Sequence, residues 1–153
     1  MPTPLLSGEV KLFDALQSST YCTTTDGGYC ATADRAIGTS DGSYTAWSTG
    51  VHWWRASMAN TPVHQIYMKY GTKYVGDKFT VSLYIGERQV WTESWENPKG
   101  QVFNYKEWTV PGIAADKLEV NVTSEGRKRL AMKDVKVIGT VNGTMGRLHA
   151  IQI

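Results

Sequence analysis

The sequence has no large excess of either charge: 16 Lys and Arg stand against 14 Asp and Glu in 153 residues, a formal net charge of +2. That balance leaves no electrostatic footprint for general nucleic-acid binding. No apolar run approaches the roughly 20 residues of a membrane-spanning helix. The opening Met1-Pro2-Thr3-Pro4-Leu5-Leu6 lacks the basic stretch and long apolar core of a secretion signal. The expectation is either a protein kept inside cells or a mature chain with a start codon added. Catalytic signatures are missing too. There is no Gly-x-Ser-x-Gly elbow, no phosphate loop and no zinc motif, and the three His (His52, His64, His149) are scattered. The carboxylates form no paired motif, so the chain reads as a non-enzyme. A carboxylate pair assembled by the fold, as in a glycosidase, is the arrangement that sequence leaves open.

Cysteine is scarce. Cys22 and Cys30 flank the polar, turn-like stretch Thr23-Thr24-Thr25-Asp26-Gly27-Gly28-Tyr29. The pair suits a small disulfide-closed loop, which points to an oxidising, extracellular compartment. Two reduced thiols in a cytosolic protein are the alternative. The sequons Asn121-Val122-Thr123 and Asn142-Gly143-Thr144 lean toward secretion.

Aromatic residues, by contrast, are plentiful: 6 Trp, 8 Tyr and 3 Phe. That exceeds what one core of this size needs, so some rings are expected on the surface, where they bind sugars or partners. The length fits one domain, 1–153. No helical period persists, whereas period-two alternation recurs. Phe79, Val81, Leu83 and Ile85 share one parity, as do Ile66, Met68 and Tyr70, and Leu118, Val120 and Val122. Val135 and Val137 continue this pattern, but Leu130 and Met132 precede them in the opposite phase, which predicts a bulge at Lys133-Asp134. Turn signals fall at Gly71, Gly76-Asp77, Gly86-Glu87, Asn97-Pro98-Lys99-Gly100 and Ser124-Glu125-Gly126. Short strands at this spacing predict an all-β antiparallel sandwich or barrel. The polar stretch from Cys22 to Gly50 reads as a long functional or ion-binding loop. Trp53 and Trp54 must face opposite ways on a strand, and both are expected in the core. Arg55 is expected to lie over the sheet and pair with a carboxylate. Trp91, Trp95 and Trp108 form either a surface patch or the far side of the core. Arg127-Lys128-Arg129 reads as a solvated hairpin.

Several segments, in order, resemble F-type (fucose-binding) lectins within the discoidin-like group that includes coagulation-factor C domains. These are Ala15 to Ser19 with Ala31 to Ile37, Trp53-Trp54-Arg55-Ala56-Ser57-Met58, Val63 to Tyr70, Phe79 to Gly86, Leu118 to Thr123 and Leu130 to Val137. They span roughly Val10 to Gly139 and leave 140–153 as a C-terminal extension. The resemblance implies a galactose-binding-domain-like jelly roll and a glycan or glycoprotein partner. The family binds fucose through one His and two Arg. Here the Arg positions read Tyr70 and Lys78, and His52 sits directly beside Trp53, so the triad is not intact.

Trp47, Tyr44, His52, Tyr70, Lys73, Tyr74 and Lys78 fall in or beside connections that the resemblance places at one end of the sandwich, where they are expected to bind carbohydrate. The resemblance also implies calcium, with Asp41, Asp134 and the hydroxyl of Ser48 or Thr49 as ligands; a solvated turn and an Asp134 ion pair with Lys133 or Lys136 are the alternative. A second reading is a structural or assembly module that kept the sandwich and lost sugar binding, forming a homo-oligomer through a strand from Ile151 and Ile153.

Overall fold

The computed structural model describes residues 6–23, 28–37, 42–46, 48–71, 78–96 and 103–141. These form β1 (Leu6–Val10), β2 (Phe13–Gln17), β3 (Cys22–Thr23), β4 (Tyr29–Cys30), a 3-10 turn (Ala33–Ala36) and β5 (Ser43–Tyr44). They continue with β6 (Ser48–Gly71), β7 (Lys78–Ile85), β8 (Arg88–Glu96), β9 (Phe103–Lys128) and β10 (Ala131–Val141). All named strand pairings are antiparallel.

Two very long strands make the sandwich. β6 and β9 pair along nearly their whole lengths, and both break register between Ser57 and Thr61, opposite Lys117 and Ala115. At that corner the paired ribbon folds over. Before the corner, β6 pairs with β2, and the second half of β9 pairs with β7, which carries β8. After it, β6 pairs with β10, which carries β1. The layers face each other across a ring cluster: Tyr70 lies 4.8 Å from Phe79 and Trp95 lies 4.7 Å from Trp108, centroid to centroid.

The expected alternation is realised. Phe79, Val81, Leu83, Leu118, Val120, Val122, Ile66 and Met68 are all wholly buried. Each such side chain stabilises the fold by about 1.5–3 kcal/mol relative to exposure. The predicted bulge is present: β10 shifts register between Lys133 and Lys136, and Asp134 takes a left-handed φ of 52°. Val135 and Val137 thereby recover the core face that Met132 occupies from the other phase.

Several expectations are corrected. Trp54 is buried, with its indole N–H donating to the Ala33 carbonyl at 2.8 Å. Trp53 is not core; it is half-buried on the outer face with the Arg55 guanidinium 4.0 Å above its ring. Arg55 does pair with a carboxylate, Glu119, at 3.0 Å. The 22–50 stretch is not one loop. It holds the Cys22–Cys30 disulfide hairpin, the 3-10 turn and β5. Ser124-Glu125-Gly126 is no hairpin turn: β9 continues to Lys128 through a register shift opposite Ser48 and Gly50. Trp95 belongs to the core side, stacked on Phe79 and donating to the Tyr70 hydroxyl at 3.1 Å. β10 runs to Val141, so Thr140 and Val141 are strand rather than extension; 142–153 lie outside the described residues.

Candidate functional site

The fold-over brings many strand ends to one end of the sandwich. Ser48 pairs with Lys128, Lys78 with Glu96 and Thr123, Gly71 with Phe103, and Ala131 with Tyr44. The residues flanking 72–77 and 97–102 are therefore neighbours here. Trp47, Lys73, Tyr74 and Asp41 lie outside the described residues.

His52 sits beneath this end, 1% exposed. The Ser48 carbonyl can only accept, so His52 Nε2 donates to it at 3.1 Å; His52 Nδ1 lies 2.9 Å from Thr45 Oγ1, which accepts from the Leu130 N–H at 2.8 Å. His52 thus braces the β5–β6 and β9–β10 connections. Tyr70 is 2% exposed and accepts from Trp95. Neither His52 nor Tyr70 presents its ring to solvent, which differs from the expectation for a sugar-contacting pair. Lys78 is exposed at the first residue of β7.

The sequence reading missed Arg129. Read as a solvated turn residue, it is half-buried, with its guanidinium 4.4 Å from the Tyr44 ring and 5.2 Å from the Tyr21 ring. Its position next to wholly buried Leu130 was the available signal. The disulfide hairpin begins immediately after Tyr21, so this cation–aromatic stack joins the hairpin to the sandwich end.

The expected calcium ligands are distributed as follows. The isolated parallel bridge between Ile37 and Val135 brings the entry of 38–41 beside Asp134. Asp134 faces Lys136, Oδ1 to Nζ 3.6 Å, and the Gly42 carbonyl accepts from Arg35 Nε at 3.1 Å. Ser48 lies at the start of β6, where its carbonyl is used by His52. Among the described residues no three His, Cys, Asp or Glu converge.

On the outer face of the first layer, Tyr84 ionises above the usual tyrosine range, first through burial and then through its hydrogen bond to Glu119. Phe13, Leu16 and Val51 are exposed on that same face.

No protein-family model and no curated protein matches the sequence. Solved structures do match. The lectin binding domain of lectinolysin in complex with Lewis b superposes with a TM-score of 0.64 at 19% identity, covering 84% of this chain and 92% of that one. The chain shares the antiparallel β-sandwich fold of that domain. A Streptococcus pneumoniae fucose binding module matches at TM-score 0.60 and 19% identity, over 80% of this chain and 88% of that one. Chitosan-binding module 1 of a Paenibacillus sp. IK-5 chitosanase/glucanase matches at TM-score 0.59 and 16% identity, over 80% and 92%. The shared sandwich fold covers 80–84% of this chain. Among the described residues, no helix is long and apolar enough to cross a membrane.

Proposed function

We propose that this lectin-like sandwich is a non-catalytic carbohydrate-binding domain of an extracellular protein, with the usual fucose triad lost. The observation that carries the reading is the cluster at one end of the sandwich. Exposed Lys78 stands there at the first residue of β7, beside the strand ends that flank 72–77 and 97–102, and the Arg129–Tyr44–Tyr21 stack lies just past the last residue of β9 at the same end. Ammonium and guanidinium groups donate to sugar hydroxyls, and tyrosine rings offer the flat apolar faces that sugar C–H groups cover. The solved structures of similar fold are carbohydrate-binding modules, which supports the same reading. The disulfide supports an oxidising compartment. Without the paired arginines, the bidentate fork is missing, so free fucose is expected to bind weakly or not at all.

A glycan array with the intact chain tests this. Reproducible binding to a sugar class is expected, weakened about tenfold by Lys78→Ala, equivalent to about 1.4 kcal/mol. Silence across the array rejects it.

One observation favours the assembly reading: Phe13, Leu16 and Val51 are exposed at 40%, 57% and 57% on the outer face of the first layer. Concentration-dependent self-association together with a silent array supports a homo-oligomeric assembly module.

Calcium is the remaining part of the proposal. A left-handed aspartate is strained by about 1–3 kcal/mol, and Asp134 carries that conformation where the entry to 38–41 meets β10. With Asp41 and loop carbonyls, a calcium ion would tie the two together after displacing Lys136. A ligand of the folded state raises apparent stability by mass action. Millimolar Ca²⁺ is therefore expected to raise the melting temperature of chelator-treated protein, and Asp134→Ala to abolish the rise. No shift in the parent protein removes calcium from the reading.

A further inference from the structure

We propose that the outer face of the second layer is a separate binding surface for a linear, neutral oligosaccharide. It rests on the glycan-binding reading above but lies on the flat of the sheet, away from the loop end. Tyr105 of β9 is 58% exposed, the most exposed large apolar or aromatic side chain among the described residues. An exposed ring beside a second ring offers a flat face for stacking.

Register places its neighbours. Tyr105 lies opposite Lys69, Tyr67 opposite Glu107, and Lys136 of β10 opposite Tyr67. Tyr67 and Tyr105 are thus a diagonal pair, with ring centroids 5.7 Å apart and planes 38° from parallel. Lys69 Nζ stands 4.9 Å from the Tyr105 centroid, and Lys136 Nζ 5.8 Å from that of Tyr67. Gln65 hydrogen-bonds Glu107 on the same face. The set crosses three adjacent strands, about 10 Å from first to last at ordinary strand spacing. That is longer than one pyranose ring.

Lys136 also borders a cleft of about 430 Å³ between β1 and the β10 bulge. Val10, Leu12, Ile37 and Val135 form its apolar wall, and Glu9, Lys11 and Lys136 its polar rim. The size falls within the range of small-ligand pockets.

The polar chemistry selects a neutral ligand. Lys11, Lys69, Lys133 and Lys136 stand with Glu9, Glu107 and Asp134, within one charge of balance, and Lys136 is already 3.6 Å from Asp134. A nearly balanced set of ammonium and carboxylate groups has little net attraction for a polyanion. It does suit hydroxyls, each of which both donates and accepts. The Tyr67 hydroxyl ionises above the usual tyrosine range, through burial first and then through Tyr105 and Asp134, so it stays a neutral donor. The two rings supply the stacking platform and the charged groups the hydroxyl contacts.

The experiment is calorimetric titration of the intact chain with neutral hexasaccharides (β-1,4-gluco, β-1,4-manno and β-1,3-gluco), with a hexagalacturonate as the charged comparison. At least one neutral hexasaccharide is expected to bind with little salt dependence. Tyr105→Ala is expected to weaken it about tenfold, and Lys69→Gln severalfold. Tyr105 is exposed, so its removal leaves the fold intact, and unchanged melting confirms this. Lys78→Ala is expected to leave this binding untouched. Binding lost in Lys78→Ala but kept in Tyr105→Ala rejects this face while the loop-end site stands. Binding by no hexasaccharide, or tighter binding of the galacturonate, overturns the proposal. So does a Tyr105-dependent dimer in sedimentation in place of sugar binding.

Discussion

Trp54→Ala is expected to lower the unfolding free energy by about 3–5 kcal/mol from lost packing. A further cost of about 1–3 kcal/mol arises because the Ala33 carbonyl, which accepts from the indole at 2.8 Å, is left buried and unpaired. Trp54 is 0% exposed and holds the 3-10 turn, itself buried at Ala33 and Ala36, against the first layer. Against a typical total of about 5–15 kcal/mol, this removes a large share of the stability. Urea denaturation followed by far-UV circular dichroism measures it. Trp54→Phe keeps most of the packing and removes only the hydrogen bond, so a loss of about 1–3 kcal/mol is expected there. This second variant keeps the test decisive even where the alanine form does not fold. A loss below about 1 kcal/mol in both variants would show that the turn is anchored by other contacts.

Gly139→Ala carries the second large effect. A Cβ at this position would lie 2.7 Å from the Pro62 carbonyl oxygen, 2.8 Å from Val10 Cγ2 and 2.9 Å from Thr61 Cγ2. One of these atoms is backbone, at the corner where β6 folds over, and the others belong to the packed strands on either side. None is the tip of a flexible side chain. Inserting one carbon must push β10 away from β1 or from the β6 corner. The expected loss is about 3 kcal/mol, the upper part of the overpacking range. Thermal unfolding with the Gly50→Ala variant alongside separates the causes. Gly50 has a positive φ of 93° but no atom within 4 Å of its added Cβ, so its cost is conformational alone. Equal losses in the two variants would reject steric crowding at Gly139.

Both effects concern the corner and the layer interface, and those are the features hardest to read from the residue order. The alternation in 79–85, 118–122 and 66–70 was legible because side-chain direction along a strand is fixed by the backbone period of two. The bulge was legible for the same reason: Leu130 and Met132 stand out of phase with Val135 and Val137, and one extra residue restores the phase at Asp134. The jelly-roll fold was reached through ordered resemblances, chiefly Trp53-Trp54-Arg55, and not through alternation, which cannot separate a sandwich from a barrel.

The candidate site was legible only in part. Lys78 stands at the loop end as expected, whereas His52 and Tyr70 are consumed by internal hydrogen bonds. Nothing in the sequence near His52 announces that Thr45 and Ser48 both reach it, because the Thr45 hydroxyl is fixed by Leu130, 85 positions further along. Tyr67 was readable as outward-facing from its parity against Met68. Its pairing with Tyr105 was not, since that depends on the register of two strands far apart in sequence.

The sequence by itself determined which residues alternate, where β10 slips, that Arg55 needs a carboxylate and that the cysteines can close a small hairpin. These are local properties, set by strand geometry or by neighbours a few residues away. Packing between distant strands settled which of two adjacent tryptophans is core, that β6 and β9 fold over as one ribbon, and which aromatics and lysines share an outer face. Those choices depend on which strands become partners, and partner choice is settled by the packing of the whole sandwich against itself.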